Sequence, residues 1–304
     1  MRTHRVERLL PYASAPLGRF RSHRQIGFAW PEGAVRLGPR IALVCHYDAG
    51  GRLRPDLLAY LRALRDAGFS VVLVSNSGTM HPDALQAGRA LCAAVLVRRN
   101  LGLDFCAWRD AMEWLGLPHA GTAQLLLAND SVYGPLRPLA PLLARIGDAP
   151  GLWGMTDSVE RGFHLQSYFL LAQADVIRSA AWQRFWRGVR PLRSKWLMIG
   201  LYEVGLTQRL LRTGLGCHAL FSGVAGDGKL FANPTLDGWR ILLDAGFPFL
   251  KRELLRDNPT LVPDLAAWRT RVTEIAGARA VAWIEADLAG RRTQTGLSNS
   301  AAAL

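Results

Sequence analysis

The chain has 304 residues, enough for one large domain or two small ones, and its 50% hydrophobic and 20% charged residues exclude an intrinsically disordered protein. No apolar run approaches the roughly 20 residues that cross a bilayer, and no hydrophobic segment follows the basic N-terminus as in a signal peptide. We therefore expect a cytoplasmic protein. The four cysteines show no Cys-x-x-Cys spacing, which argues against a zinc site or a disulfide framework.

The positive charge is concentrated at the start of the chain. The net charge is +13, and residues 1–40 hold eight Arg and two Glu, which is +6. Such a basic N-terminal arm is either a solvated tail or a segment that lies on an anionic membrane surface. No recognisable nucleic-acid module accompanies it, so we expect no nucleic-acid partner. The membrane alternative predicts peripheral association with the inner face of the cytoplasmic membrane.

Buried strands alternate with helices over the first half of the chain. Residues 41–47, 69–75, 94–97 and 125–128 are apolar runs typical of buried strands, and 55–67 has the apolar spacing of a helix opened by Pro55. A further helix is predicted near Pro82, and another over 105–115. This alternation predicts βαβ units and a mainly parallel sheet.

Polar residues follow each of these strands. Because βαβ crossovers are right-handed, the loops after the strands gather at one edge of the sheet, where ligands of open α/β folds bind. The residues expected around this crevice are His46, Asp48, Asn76, Ser77, Arg98, Arg99, Asn100, Asn129 and Asp130.

Asn129, Asp130 and Ser131 end the predicted central strand. A carboxylate at this edge can hold a divalent cation, and the cation can hold a diphosphate. The alternative is that the triplet is only turn chemistry.

The loop of residues 98–104 combines two cations, an amide, a glycine and a carboxylate. Arg98 and Arg99 suit phosphate recognition, because a guanidinium binds phosphate through two hydrogen bonds. Asp104 is predicted to be the N-cap of the helix over 105–115, a role that does not exclude ligand contact.

The second half of the sheet is predicted to be mixed. A helix over 138–146 precedes a strand over 152–157 that ends at Asp157, and residues 164–171 return against that strand. His164 and Gln166 are the polar members of this segment, and a structural role is the simpler interpretation of His164.

The region 181–212 is predicted to be helical, with a last strand over 216–221. Glu203 lies in apolar company at the start of an amphipathic helical unit, which suits a general base. The alternative is a solvated glutamate paired with Arg209. The predicted organisation is an arm over 1–40, a catalytic domain over 41–260, C-terminal helices packed on it over 261–290, and a disordered tail over 291–304.

Five motifs in order resemble the rhamnan synthesis protein F family of bacterial polysaccharide assembly. They are Val-Cys-His-Tyr-Asp at 44–48, Arg-Asn-x-Gly-x-Asp at 99–104 with Trp108, Asn-Asp-Ser-x-Tyr-Gly-Pro at 129–135, His-Leu-Gln-Ser-Tyr-Phe at 164–169, and Pro-Phe-Leu-Lys-Arg-Glu-Leu at 248–254. The resemblance covers about residues 40–260.

The resemblance implies a glycosyltransferase with an α/β, GT-A-like Rossmann-type fold, whose mixed, mainly parallel sheet is flanked by helices and followed by a helical C-terminal region. Such enzymes use a nucleotide-diphospho-sugar, here dTDP-rhamnose or similar, often with Mg²⁺ or Mn²⁺ on an Asp-x-Asp motif. Asn129-Asp130-Ser131 stands in that place with one carboxylate instead of two, and the resemblance implies Asp130 as the metal ligand.

The resemblance also implies residue roles for an inverting transfer onto a lipid-linked saccharide, in the company of other polysaccharide-assembly enzymes. Glu203 is the expected base. The expected donor-binding residues are His46, Asp48, Asn76, Arg99, Asn100, Asp104, Asn129, Asp130 and Ser131. The expected acceptor- or phosphate-binding residues are Asp157, His164, Gln166, Lys251 and Arg252. A non-catalytic assembly subunit and a sugar-phosphate transferase remain the alternatives.

Overall fold

The computed structural model describes residues 25–192, 194–222 and 232–301, without the side chains of 195 and 291–301. Nine of the described strands form one sheet. They are β1 (Ile26–Trp30), β2 (Arg40–His46), β3 (Ser70–Ser75), β4 (Ala94–Arg98), β5 (Gln124–Asn129), β7 (Leu152–Ser158), β8 (His164–Leu165), β9 (Phe169–Gln173) and β10 (Cys217–Phe221), while β6 (Val132–Tyr133) and β11 (Leu250–Lys251) form a separate antiparallel pair.

The strand order is β1-β4-β3-β2-β5-β9-β7-β10, with β8 paired to β7. The four strands β2 to β5 are mutually parallel, whereas β9 runs antiparallel to both β5 and β7. The central strands are buried on both faces, and Leu125, Leu126 and Leu127 of β5 are fully enclosed. The expectation of a mixed, mainly parallel sheet is confirmed, because near-continuous apolar runs suit strands covered on both sides.

Helices cover both faces of this sheet. The first four are α1 (Pro55–Asp66), α2 (Pro82–Leu91), α3 (Leu103–Leu115) and α4 (Ala140–Ile146). The next group comprises α5 (Ala174–Arg178), α6 (Ala180–Gly188), α7 (Lys195–Met198), a π-helix (Ile199–Val204) and α8 (Gly205–Leu211). One hydrophobic cluster joins α3, α6 and α8 to one face, and a second joins α1 and α4 to the other.

The C-terminal region is helical, as expected. It contains α9 (Trp239–Asp244), α10 (Arg252–Asp257), a 3-10 helix (Leu265–Ala267), α11 (Trp268–Ala276) and α12 (Ala278–Ala301). A third cluster packs Trp268, Val272 and Ile284 of these helices with Tyr133 and Leu250 of the β6–β11 pair. No helix in the described ranges is long and apolar enough to span a membrane.

Four local predictions need correction. The N-terminal arm was predicted over 1–40, but residues 26–30 form β1, which pairs with β4; residues 1–24 lie outside the described residues. The single strand predicted over 164–171 is two strands, because a turn at Ser167 and Tyr168 separates them. The helical region 181–212 is interrupted after Gly188, where Pro191 cannot donate a helical hydrogen bond. The tail predicted to be disordered is helical to Ala301, and residues 302–304 lie outside the described residues.

Candidate active site

Side chains from the carboxyl ends of β2 and β5 and from the first turn of α3 meet at the edge of the sheet where the crevice is predicted. The Cys45 thiol donates to Asp104 Oδ1 (3.2 Å), and Asn129 Nδ2 donates to Asp104 Oδ2 (2.7 Å). Burial, together with the neighbouring carboxylates of Asp130 and Glu203, raises the pKa of Asp104 to about 6, although the hydrogen bonds from Cys45 and Asn129 lower it. The crevice therefore holds a carboxyl group that changes its charge near neutral pH.

The loop before Asp104 approaches its surroundings too closely for a side chain at Gly102. Gly102 has φ +77°, and a Cβ there would lie 2.3 Å from Cys106 Sγ and 2.9 Å from the Cα of Pro191. Leu103 also has a positive φ, of 50°, which is uncommon for a residue other than glycine. Asp104 was predicted as the N-cap, but Gly102 holds that position and Asp104 lies in the first turn of α3. Its carboxylate is thus directed to the side chains of the crevice.

Glu203 enters the crevice from the π-helix. The backbone N–H of Ser167 donates to Glu203 Oε1 over 2.6 Å, and the side chain is half-buried. This hydrogen bond holds one carboxylate oxygen at the turn between β8 and β9. A π-helix is rare and occurs often at functional sites. The Glu203 carboxylate also lies close enough to Asp104 to raise the pKa of that carboxyl group.

Lys251 supplies a cation beside the same turn. It pairs with Val132 in the β6–β11 ladder, and its Nζ lies 5.0 Å from the ring centroid of Tyr168, the residue after Ser167. The half-buried lysine is therefore held next to the segment that contacts Glu203. A cation over an aromatic face is attracted by the ring quadrupole.

Asp130 is part of a salt-bridge network. Its Oδ2 accepts from Arg54 Nη1 (2.9 Å) and Arg252 Nη1 (3.1 Å). Arg54 also pairs with Asp56, and Arg252 also pairs with Asp287 of α12. The pKa of Arg54 is raised despite its burial because these carboxylates favour the charged guanidinium.

The residues around Asp130 do not fit the predicted metal site. A carboxylate oxygen that faces two guanidinium groups is already neutralised by positive charge, which a dication would have to displace. Within the described ranges, no three His, Cys, Asp or Glu side chains are grouped so as to hold an ion. The arginines that bind Asp130 carry no signal in the sequence, because Arg54 and Arg252 lie far from it along the chain.

Arg98 and Arg252 are not available as phosphate ligands. Arg98 is 1% exposed; its guanidinium bonds Asp110 Oδ2 (2.7 Å from Nη2) and donates from Nη1 to Asn76 Oδ1. The amide of Asn76 in turn donates to Cys45 Sγ. Arg98 and Asn76 are therefore internal structural residues, and Arg252 is 7% exposed within the network of Asp130.

The remaining donor-side predictions are dispersed. His46 is fully buried between Ser75 Oγ and the carbonyl of Arg52, and burial lowers the pKa of its imidazole. Asp48 Oδ1 accepts from the backbone of Gly50 and Arg52, which shapes its own loop. Arg99 and Asn100 are exposed, and Ser131 donates to Asn129 Oδ1 from its hydroxyl and its backbone. Asn129 thus orients both Ser131 and Asp104.

The acceptor-side predictions include internal groups. Gln166 is 4% exposed, accepts from Thr156 Oγ1 and donates to Asn233 Oδ1. His164 is also buried, with Nδ1 2.9 Å from the carbonyl of Gly162, in agreement with its structural interpretation. Asp157 accepts from Ser222 Oγ at the edge of β7. Of this set, Lys251 lies beside the turn that contacts Glu203.

Comparison with known proteins identifies the family. The profile of the family described as rhamnan synthesis protein F matches residues 71–274. A protein named virulence protein VirA from Vibrio anguillarum is 30% identical over 246 residues, which cover 70% of this chain and 77% of that protein. The uncharacterized protein y4gN from Sinorhizobium fredii is 28% identical over 63% of this chain and 51% of its own length.

Two solved structures are similar at low identity. One is 4-diphosphocytidyl-2C-methyl-D-erythritol synthase from Anaerococcus prevotii (TM-score 0.37, 8% identity, 64% of this chain and 94% of that chain). The other is described as a putative nucleotide-diphospho-sugar transferase from Desulfovibrio desulfuricans (TM-score 0.34, 11% identity, 60% of this chain and 80% of that chain). The family match covers well over half of the chain, and the chain therefore belongs to the rhamnan synthesis protein F family.

Proposed function

We propose that the protein is a glycosyltransferase that takes a sugar from a nucleotide-diphospho-sugar and adds it to a growing cell-surface polysaccharide. Family membership supports the polysaccharide, and the crevice at the carboxyl ends of the parallel strands supports a nucleotide substrate. The observation that carries the proposal is Glu203, a half-buried carboxylate fixed by the Ser167 N–H at this crevice. Rhamnose, from dTDP-rhamnose or a related donor, and a lipid-linked acceptor are the substrates we favour.

In this proposal Glu203 is the general base of a single inverting displacement. Glu203 Oε1 is held by Ser167, so the other oxygen takes the proton of the acceptor hydroxyl. The acceptor oxygen bonds to the anomeric carbon as the bond from that carbon to the nucleoside diphosphate breaks. The departing diphosphate gains negative charge, and Lys251 is the cation at this turn best placed to stabilise it. Asp104 forms the donor side and binds a hydroxyl group of the nucleotide sugar, and the buried Asn129 orients its carboxylate.

No step of this mechanism passes through a metal ion, because the Asp130 carboxylate is paired with Arg54 and Arg252. We propose instead that Asp130 acts on the site indirectly, by fixing the backbone between β5 and β6. Arg252 Nη1 also donates to the Asp130 carbonyl (2.9 Å), which ties the main chain directly after Asn129 to α10.

The Glu203→Gln variant tests the role of the base. We expect sugar-nucleotide binding close to that of the unchanged protein and transfer slower by about 10²–10⁴-fold, the usual range for general-base catalysis. Calorimetric titration with a panel of nucleotide-diphospho-sugars, with and without Mg²⁺ or Mn²⁺, measures binding, and a quenched-flow assay measures transfer. Glu32→Gln is the matched control, because Glu32 is exposed. Transfer at the unchanged rate by a normally folded Glu203→Gln protein would remove Glu203 from this role.

A non-catalytic assembly subunit is the second candidate. The salt bridges of Asp130 with Arg54 and Arg252 favour it. That alternative predicts that no sugar nucleotide binds and that Glu203→Gln leaves polysaccharide production in cells intact. A sugar-phosphate transferase, in contrast, would bind the donor and release a nucleoside monophosphate.

A further inference from the structure

A second cavity lies between α3 and α6, outside the crevice. Its volume is about 450 Å³, and none of its lining residues is one of the crevice residues described above. The apolar part of the wall includes Met112, Trp182 and Trp186, which belong to the hydrophobic cluster on this face of the sheet. The volume lies within the range of small-molecule sites, and an apolar wall with a few polar groups is their usual composition.

The charged residues of this cavity are predominantly basic. Three arginines line it, Arg109, Arg187 and Arg190, against one carboxylate, Glu113. Arg109 is 7% exposed and shares the buried carboxylate of Asp110 with Arg98, so these three side chains together carry one excess positive charge. Three arginines and one carboxylate give the cavity wall a net positive charge, which attracts anions.

The two exposed arginines of the cavity lining keep their charge available. Arg187 Nε donates to the carbonyl of Gln183, and Arg190 Nη1 donates to the carbonyls of Arg187 and Val189. Neither forms a salt bridge within the part of the chain that the structure describes. Both side chains are exposed, and they remain able to bind a phosphate through charge-assisted hydrogen bonds.

We propose that this α3–α6 cavity is a second binding site, for an organic phosphate whose apolar or sugar portion enters between the tryptophans. The arginines recognise the phosphate, and Met112, Trp182 and Trp186 contact the remainder. The phosphate is carried either by a sugar or by a lipid, and both present the same chemistry to the arginines. This site does not depend on the function proposed for the crevice.

The cavity is connected to the crevice residues through Tyr202 and through Pro191. The Tyr202 hydroxyl accepts from the Arg190 N–H and donates to the Arg190 carbonyl, both over 2.8 Å, and Tyr202 precedes Glu203 in the π-helix. On the other side, the Cα of Pro191 packs against Gly102, two residues before Asp104. A ligand that fixes Arg190 therefore fixes both segments that carry the crevice carboxylates.

Titration calorimetry at low salt tests the proposal, with inorganic phosphate, glucose 1-phosphate and geranyl phosphate as probes. We expect at least one organic phosphate to bind more tightly than inorganic phosphate, and the Arg187→Gln/Arg190→Gln double variant to bind it at least about tenfold more weakly. Arg184→Gln is the matched control: Arg184 is exposed on the same helix, its Nε donates to a carbonyl four residues back, and it does not line the cavity.

Each result of this titration either supports or overturns the proposed phosphate site. Tighter binding of glucose 1-phosphate assigns a sugar phosphate to the site, and tighter binding of geranyl phosphate assigns a lipid phosphate. Equal binding by the double variant and the unchanged protein overturns the proposal, and so does the absence of any organic phosphate that binds more tightly than phosphate itself. Thermal melts verify that both variants fold. Sugar-nucleotide binding in the double variant is measured separately, because its loss or retention reports on the crevice.

Discussion

At the residue scale, the carboxyl group of Asp104 illustrates how this crevice changes the properties of a side chain. It accepts hydrogen bonds from Cys45 and Asn129, but burial still raises its pKa from an ordinary 3.8 to about 6. A raised pKa of an acid means that the folded protein disfavours the ionised form. The stability that this group contributes is fully present below about pH 4 and is lost as the pH rises through 6.

The Asp104→Asn variant tests this charge. We expect its free energy of unfolding, relative to the unchanged protein, to rise between pH 4 and pH 7 by on the order of 1–2 kcal/mol, and to be constant above pH 7. The reason is that asparagine is uncharged, so the variant does not pay the desolvation cost of an ionised carboxylate. Denaturant unfolding at a series of pH values measures the difference. A difference that does not depend on pH would mean that Asp104 ionises normally in the folded protein.

At the scale of elements, the ion pairs of Asp287 attach the C-terminal helix α12 to the crevice wall. Asp287 accepts from Arg252 Nη2 (3.0 Å), Arg256 Nη2 (2.7 Å) and the Tyr133 hydroxyl (2.6 Å). Arg252 in turn binds Asp130. The side chains of Arg252 and Asp287 are 8% and 12% exposed, so solvent screens this network only weakly.

The Asp287→Ala variant should lose about 2–3 kcal/mol of stability, because it leaves two arginines and a hydroxyl at a mostly buried position without this acceptor. Glu285→Ala on the same helix is the control. Its partner is Arg269. The Arg269 side chain is 52% exposed and the Glu285 side chain is 46% exposed. Exposed pairs contribute less than about 1 kcal/mol. Chemical denaturation compares the two variants, and equal losses would show that the network does not hold α12 in place.

The elements that the sequence predicted well are those whose pattern is local. The strands β2, β3, β4 and β5 are continuous apolar runs, and the alternation with helices implied the shared edge at which Asp104 and Asn129 meet. The turn at Ser167 and the π-helix of Glu203 were not predicted, because no local pattern indicates a hydrogen bond between segments that are 36 residues apart. β1 was assigned to the arm because Gly27 and Pro31 obscure its pattern.

Ion pairs that form only in the folded chain account for the placement of Arg98 and Arg252. Arg98 and Arg252 have the residue type and the loop position of phosphate ligands, but Asp110 and Asp287 bind them within the fold. Asp287 lies 35 residues from Arg252 in sequence, and nothing local indicates their contact. An arginine that pairs with a buried carboxylate has a structural role and does not bind phosphate. The position of that carboxylate is known only from the fold.

At the scale of the whole molecule, the uneven charge makes a separate prediction about residues 2–24, which lie outside the described residues. They carry six Arg and one Glu, a net charge of +5. We propose that they dock the protein on the anionic inner face of the cytoplasmic membrane, at roughly 1 kcal/mol for each basic residue near the surface.

Deletion of residues 2–24 should therefore weaken sedimentation with vesicles that contain anionic lipid, and rising salt should weaken the binding of the full chain in parallel. Vesicles of neutral lipid provide the reference, since they lack the surface potential. Equal sedimentation of the shortened and full chains with anionic vesicles would contradict the membrane role of this segment.

The central claim is that the crevice transfers a sugar from a nucleotide-diphospho-sugar, and the products of the reaction test it most directly. The full chain is incubated with a nucleotide-diphospho-sugar that it binds and with a short saccharide acceptor, and the products are identified by mass spectrometry. We predict a nucleoside diphosphate and an acceptor that is heavier by one sugar residue, with both formed more slowly by Glu203→Gln. Release of a nucleoside monophosphate, or an unchanged acceptor after the donor has bound, would contradict the account.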